Sequence, residues 1–112
     1  MDTEFTTSVE RIVELIVAGR YDQISKITGD QRLDAVSIER AVREYGKRLV
    51  MPPAEALDQL DVVPVRNVVP PRWSVRINLW TLEEGRSDLT LELTLFEGEG
   101  RYVIEVDDIH VL

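Results

Sequence analysis

The first part of the chain has the apolar spacing of an amphipathic helix. Positions i, i+3, i+4 and i+7 lie on one face of an α-helix, and here they are Val9, Ile12, Val13 and Ile16. Thr7-x-x-Glu10 matches a capping box, so we predict that the helix begins there. Gly19 is typical of the residue that follows a helix and predicts its end.

Two further helices and one helical turn are expected before the chain changes character. The second helix runs over Tyr21–Ile27. The third begins at Asp34 or at Ser37 and continues to Tyr45, where the apolar residues repeat the same helical spacing. A single helical turn is predicted over Pro53–Leu57, because proline is favoured at the start of a helix.

The second half changes to a period of two, which is typical of strands. The alternating segments are Leu60–Arg66, Trp73–Trp80, Asp88–Phe96 and the stretch from Tyr102 to the C-terminus. Pro64 cannot donate a backbone hydrogen bond, so the first strand is placed at an edge. We therefore predict one α+β domain, residues 1–112. Two or three N-terminal helices (1–46) pack on one face of a four-stranded antiparallel meander sheet (60–112).

The first hairpin turn predicts a pairing register. Glu83-Glu84-Gly85 suits a three-residue loop with glycine in the left-handed conformation. This loop pairs Leu79 with Leu89 and Arg76 with Glu92, and it keeps the apolar residues on one face. A two-residue loop would put the two faces out of step, so it is rejected.

The second hairpin turn and the residues after it predict a bulge. Gly98-Glu99 suits a two-residue loop, and this loop pairs Leu91 with Val106. Up to Val106 the alternating apolar residues of this strand are at even positions, and after it they are at odd positions, which in a regular strand would lie on the opposite face. One inserted residue, a β-bulge at Asp107-Asp108, restores the phase and places Ile109 opposite the start of the neighbouring strand.

This register places two polar rows on the sheet face opposite the apolar one. The first row is Trp80, Asp88 and His110, and the second is Arg76, Glu92 and Glu105. A carboxylate that binds an imidazole can orient it for proton transfer, so Asp88 and His110 are the catalytic candidates. The competing interpretation, which we favour, is that this pair only ties the last strand to the sheet.

A metal site is the other chemistry that these residues suggest. Asp88, Asp107, Asp108 and His110 have side chains that bind cations. Adjacent strand residues point to opposite faces, so only the bulge could bring the neighbouring carboxylates together. We predict no metal and no cofactor.

The binding candidates lie on the same face and at the hairpin tip. Trp80 and Phe96 are large side chains on a face without helices, which indicates contact with a second subunit or with a partner protein. Glu83, Glu84 and Arg86 form a charged tip. The tip is interpreted either as a recognition loop or as a solvated turn in which Arg86 neutralises its neighbours.

Composition narrows the range of functions. The 112 residues include no cysteine and one histidine, which excludes a thiolate nucleophile and any site that needs two imidazoles. The net charge of -8 argues against nucleic acid and against anionic membranes as partners. The acidic start and the short apolar stretches do not match a signal peptide or a membrane span, so we expect a cytoplasmic protein.

Two resemblances add expectations. The order of elements resembles the cone-shaped α+β fold of cystatins and of the nuclear-transport-factor-two type. That resemblance implies dimers formed through the outer sheet face, ligands held between helix and sheet and, in some members, isomerase or cyclase activity. The segment Leu79–Glu92, LWTLEEGRSDLTLE, and the ending Asp107–Leu112, DDIHVL, resemble a family of small uncharacterised bacterial proteins. That second resemblance implies no activity.

Two functions from different classes remain. The first is a non-catalytic protein-binding module comparable to immunity proteins or antitoxins, because an acidic surface steers a basic partner. The alternative is a small-molecule-binding protein or an isomerase or cyclase of the cone-shaped fold. The inward-facing residues of the sheet are medium to large and predict a filled core with Leu91 fully buried at the centre, which favours the binding module. They are Val75, Ile77, Leu79, Leu89, Leu91, Leu93, Ile104 and Val106. We also expect a homodimer that forms through the outer sheet face.

Overall fold

The computed structural model describes residues 2–112. Helices at the N-terminus pack against an antiparallel sheet, so the predicted α+β class is confirmed. The elements are α1 (Thr3–Ala18), α2 (Tyr21–Thr28), α3 (Ala35–Tyr45), β1 (Leu49–Val50), α4 (Ala54–Asp58), β2 (Asp61–Val65), β3 (Arg72–Thr81), β4 (Gly85–Glu97) and β5 (Tyr102–Val111). No helix in this range is long and apolar enough to cross a membrane.

Helix α1 begins earlier than the capping box predicts. Its N-cap is Asp2, whose carboxylate accepts a hydrogen bond from the backbone N–H of Phe5 at 2.8 Å. The extra turn brings Phe5 into the core, where its ring meets Trp73 and Tyr102 edge-on at centroid distances of 6.0 and 5.3 Å. The aromatic contacts explain why the helix begins before Thr7, because burying Phe5 stabilises the added N-terminal turn.

The other helices follow the sequence prediction closely. The N-cap of α3 is Asp34, which accepts a hydrogen bond from the N–H of Ser37 at 2.8 Å and so decides between the two predicted starts. Helix α4 follows Pro53, as expected for the predicted single turn. Gly19 and Gly46 have left-handed backbone conformations and end α1 and α3.

The sheet has one more strand than predicted. Its order is β1-β3-β4-β5, and β2 pairs with β3 as well. Since β4 occupies one side of β3 along its length, β1 and β2 share the other side. The pairs Val50–Trp80 and Asp61–Arg76 end these two short ladders, so residues 77–79 of β3 lie between them. The two residues of β1 are too few to show a periodicity in the sequence.

The register of β3 and β4 is confirmed over most of the hairpin. Arg76 is opposite Glu92, as predicted, and regular pairing continues to Asn78. Beyond Asn78 the register shifts, and the prediction that Trp80 lies opposite Asp88 is wrong because Trp80 pairs with Arg86. The predicted pair of Leu79 with Leu89 falls within this irregular stretch.

The register of β4 and β5 differs from the prediction by two residues. Glu97 pairs with Tyr102, so the connection is the four residues 98–101 and not the predicted two-residue loop. Val106 is therefore opposite Leu93 and not Leu91. A shift by two keeps every side chain on its predicted face, which is why apolar parity could not detect the error.

The predicted bulge is present at the first of its two aspartates. Asp107 is the extra residue, because Val106 pairs with Leu93 and Asp108 pairs with Glu92. Since the turn is longer than predicted, the residues after the bulge are also displaced. His110 lies opposite Thr90, so the prediction that it faces Asp88 is wrong.

The space between helices and sheet is filled by aliphatic side chains. Leu91 is completely buried at the centre of the sheet, as predicted, and Ile12 and Ile38 are equally buried on the helices that cover it. The residues predicted to face inward on β3 and β4 are buried as well: Val75, Ile77, Leu79, Leu89 and Leu93. Two grooves open at the surface beside α4.

Candidate functional site on the outer sheet face

The candidate residues lie mainly on the sheet face opposite the apolar core, here called the outer face. Alternation along the strands places Arg76 and Trp80 of β3, Glu92 and Phe96 of β4, and His110 of β5 there. All except Arg76 are half-buried, and Arg76 is exposed. Two ion pairs, Arg76 with Glu92 and Arg72 with Glu105, connect strands of the sheet on this face.

His110 makes its closest contact with Glu92. Its Nε2 atom is 2.6 Å from Glu92 Oε2 and 3.8 Å from Asp108 Oδ2. The hydrogen bond from His110, followed by that from Arg76, lowers the pKa of Glu92 below its usual value. The sequence therefore identified the histidine correctly as part of a carboxylate–imidazole pair but assigned it the wrong carboxylate.

Asp88 lies apart from this pair. It is exposed, and its backbone carbonyl accepts a hydrogen bond from the N–H of Leu112 at 3.1 Å. The backbone of Asp88 thus holds the end of β5, while the predicted contact with His110 is missing because the register is displaced. The two catalytic candidates are not brought together.

The bulge carries a second, structural carboxylate. Asp107 accepts a hydrogen bond from the Thr94 hydroxyl at 2.5 Å and forms an ion pair with Arg32, whose Nε lies 3.0 Å away. The neighbouring Leu33 donates its N–H to the carbonyl of Val106 at 2.9 Å. Asp107 therefore ties the loop between α2 and α3 to the edge of β5.

The hairpin tip is held by hydrogen bonds to the body of the protein. The hydroxyl of Tyr45 donates to Glu84 at 2.8 Å, and Glu83 accepts a hydrogen bond from the backbone N–H of Arg48 at 3.0 Å. Arg86 donates a hydrogen bond to Asn78 Oδ1 at 3.1 Å. The interpretation that the charge of Arg86 neutralises its acidic neighbours stays a prediction.

A groove of about 550 Å³ lies next to the tip, at the interval between β1 and β2. Its wall on β3 includes Arg76, Asn78 and Trp80, and Arg86 of β4 closes one side. Helix α4 forms the opposite wall with residues such as Glu55. The sequence did not reveal this groove, because it exists only where two short strands pair with the same edge of β3.

A smaller groove of about 340 Å³ lies on the other side of α4. Phe5, Leu57 and Val62 contribute apolar surface to its wall, and Thr3 and Thr6 contribute hydroxyl groups. Neither His110 nor Glu92 lines either of these two grooves. The carboxylate–imidazole pair and the concave surfaces are therefore separate features.

Phe96 lies at the far end of the outer face from Trp80. The guanidinium carbon of Arg72 is 4.3 Å from the centre of the Phe96 ring, a cation–π contact that covers part of the ring. Of the five predicted binding residues, Trp80, Glu83, Glu84 and Arg86 are brought together at the hairpin end, and Phe96 is not.

The fold and this surface define a small α+β protein with an ionic outer sheet face and a surface groove beside it. Residues 13–112 match the family model described as Domain of unknown function (DUF7668), and the chain belongs to that family. The matched range contains both hairpins, the groove walls on β3 and β4, and the bulge. The expectation of a small uncharacterised family is confirmed to this extent. The comparisons found no match among curated proteins or solved structures.

Proposed function

We propose that the protein is a non-catalytic binding module that docks a partner protein at the hairpin end of the outer face. The observation that carries this proposal is the groove beside Trp80, which Arg76 and Arg86 also line. Tryptophan and arginine are the side chains that most often dominate binding energy at protein interfaces. Here they are concentrated in one concave surface.

The tip next to the groove supports this proposal through its order. Contacts from Tyr45 and Arg48 hold Glu84 and Glu83 against the body of the protein. A surface that is already ordered loses less conformational entropy when a partner binds. The hairpin end is therefore better prepared for docking than a free loop of the same composition.

Charge suggests the chemistry of the partner. The net charge of -8 favours association with a basic protein, because the long-range field accelerates the encounter of opposite charges. Immunity proteins and antitoxins act in this way against basic toxins. The proposed partner is accordingly a basic protein, and its association rate decreases as salt screens the field. Glu55 and Asp61 line the groove together with Arg76 and Arg86, so the attraction comes from the net charge of the whole chain and the groove itself does not repel a basic partner.

Site-directed cross-linking in the cells that make the protein tests this assignment. A photoreactive phenylalanine analogue replaces Gln59, an exposed residue of the groove wall, or, as the matched control, the exposed Arg101 in the loop at the other end of β4. We expect one discrete partner cross-linked from position 59 and not from position 101. Purified partner should bind the wild type faster at low salt and should bind Trp80→Glu weakly. Equal cross-linking from both positions, or binding that Trp80→Glu leaves unchanged, would contradict the proposal.

A small-molecule carrier is the second candidate, and the size of the groove is the observation that favours it. A volume of about 550 Å³ is within the range of ligand sites, which is roughly 300–1,000 Å³. The two tryptophans allow a direct test, because Trp80 lines the groove while Trp73 contacts Phe5 and Tyr102 in the aromatic cluster. In Trp73→Phe the remaining fluorophore is Trp80, and in Trp80→Phe it is Trp73. Saturable quenching of tryptophan fluorescence by aromatic carboxylates that occurs in Trp73→Phe and is absent in Trp80→Phe would favour the carrier.

Self-association through the outer face is a further part of the proposal. A second copy that covered this face would bury Trp80 at one end and the Arg72–Phe96 pair at the other. Sedimentation at high micromolar concentration tests it: a dimer that Trp80→Glu converts to a monomer is expected. A wild type that stays monomeric would exclude the homodimer and would leave the docking of a different partner unaffected.

A further inference from the structure

The bulge in β5 gathers a nitrogen and two oxygen ligands at one point of the outer face. Glu92, Asp108 and His110 each place one ligand atom within 4.8 Å of the other two. Glu92 and Asp108 are directly opposite each other on β4 and β5, and His110 follows two residues later on the same face of β5. Without the extra residue at Asp107, Asp108 and His110 would fall on the opposite face.

Each carboxylate is oriented by a contact to one of its oxygens. Arg76 lies 3.4 Å from Oε1 of Glu92, while Oε2 of that residue faces His110. The backbone N–H of Ile109 donates to Oδ1 of Asp108 at 2.9 Å, while Oδ2 faces His110. Both carboxylates thus direct their second oxygen to the same imidazole nitrogen. Contacts of this kind orient the ligands in protein metal sites.

The distances between the ligand atoms are close to those between the ligands of a tetrahedral metal ion. Two ligand atoms about 2.0–2.1 Å from a tetrahedral zinc lie roughly 3.3 Å apart. The distances from His110 Nε2, 2.6 Å to Glu92 and 3.8 Å to Asp108, are on either side of this value. All three ligand atoms lie within 4.8 Å of one another, so side-chain rotations that move these atoms by about an ångström would accommodate the ion.

We propose that Glu92, Asp108 and His110 bind one transition-metal dication of the zinc type on the outer face. An imidazole nitrogen favours zinc, cobalt or nickel over magnesium and calcium, which prefer oxygen ligands throughout. Three protein ligands leave a fourth position open to water or to a group on a partner protein. This site contradicts the sequence-based expectation that the protein binds no metal, and it does not depend on the proposed docking groove.

The binding experiment uses purified protein from which metal has been removed with a chelator. Zn²⁺ is titrated calorimetrically, and Co²⁺ is added in parallel because its visible spectrum reports tetrahedral coordination. We expect one ion per chain at micromolar concentration. Excess Mg²⁺ or Ca²⁺ should not displace it.

Four variants locate the ion. His110→Gln, Asp108→Asn and Glu92→Gln should each weaken binding by about tenfold or more, because each removes one of three ligands. Glu105→Gln is the matched control: this carboxylate is on the same strand and face but pairs with Arg72. Circular dichroism checks that every variant is folded.

Two outcomes would overturn the proposal. One is the absence of stoichiometric Zn²⁺ binding at millimolar concentration. The other is binding that Glu105→Gln weakens as much as His110→Gln does, which would indicate diffuse attraction to an acidic surface. In amide NMR spectra the Zn²⁺-dependent shifts should centre on residues 92 and 108–110. Shifts centred on the hairpin tip would also contradict the site.

Discussion

The two hairpins of the sheet share strand β4 and obey the same parity, but they differ in how far the sequence predicts them. In the β3–β4 hairpin the predicted register is correct as far as Asn78 and changes only near the tip. In the β4–β5 hairpin it is displaced by two residues over the ladder that adjoins the turn. The faces of the side chains are nevertheless the same as predicted in both.

This contrast shows that parity and turn length carry separate information. Alternation determines the face on which a residue lies, because a one-residue slip would move apolar side chains to the surface. A slip of two residues has no such cost. The length of the turn then decides the register, and the glycines of the second turn are compatible with more than one loop.

Leu91→Ala should have the largest effect, because Leu91 pairs with Ile77 in one hairpin and with Ile109 in the other. It is completely buried, so the substitution removes contacts in both hairpins. We expect a loss of about 2–5 kcal/mol in the free energy of unfolding, measured by urea denaturation. Leu82→Ala, in the exposed tip, is the control and should change little. A loss below about 1 kcal/mol at Leu91 would contradict a core shared by both hairpins.

Ser87→Ala tests the irregular part of the first hairpin. The Ser87 hydroxyl donates to the carbonyl of Leu79 at 2.6 Å and accepts from the N–H of Leu89 at 3.1 Å. Both bonds are buried, so their loss should cost about 1–3 kcal/mol. Ser74→Ala, in the regular part of β3, is the matched control. If the two variants are equally stable, the hydroxyl does not hold the register shift.

Gly100→Ala tests the turn of the second hairpin. Gly100 has a φ of 70°, and no atom beyond its two neighbours in the chain lies within 4 Å of the place a Cβ would take, so backbone strain is what opposes alanine. We expect a loss of about 1–2 kcal/mol. Gly100→Asn should lose less, because asparagine tolerates this conformation. Equal stabilities of alanine and glycine at this position would show that the four-residue loop is not formed.

Lowering the pH should loosen the second hairpin more than the first. The N–H of Phe5, followed by the hydroxyl of Tyr102, lowers the pKa of Asp2 from 3.8. The stabilisation is therefore present above pH 3.8 and is lost as the pH falls through the lower folded value. Burial, followed by the hydrogen bond to Asp2, raises the pKa of Tyr102 to about 12, so its hydroxyl remains a donor throughout this range.

Hydrogen exchange provides the measurement for this last prediction. Amides near Tyr102, at the start of β5, should exchange faster as the pH falls below 3.8, after correction for intrinsic rates. Amides at Trp80 and Arg86 should be unaffected. Asp2→Asn keeps a capping side chain without the charge and should abolish the difference. A pH response that persists in Asp2→Asn would assign the effect to another carboxylate.

The elements that the sequence predicts well are those whose signals are local. Asp34 caps α3 through the N–H of a residue three positions away, and Gly46 ends that helix through its own backbone conformation. The start of α1 was missed because the decisive contact is long-range: Phe5 packs against Trp73 and Tyr102. A capping box further along the chain was the stronger local signal.

The site was predicted only in part for the same reason. His110 was correctly placed on the outer face, because parity and the bulge determine the face. Its partner was wrong, because Glu92 replaces Asp88 once the turn is two residues longer. The apolar residues show no difference between these two registers, so apolar parity could not identify Glu92.

The sequence by itself determined the class of the fold, the residues on each face of the sheet and the presence of a bulge at the two aspartates. These follow from periodicity and from local backbone preferences, which act over a few residues. Only the tertiary structure decided which residues meet across strands, including His110 with Glu92. It also decided where β1 and β2 leave a groove on the edge of β3. Such contacts depend on the packing of segments that are far apart in the chain. A pattern that covers a few neighbouring residues does not determine which of these distant segments meet.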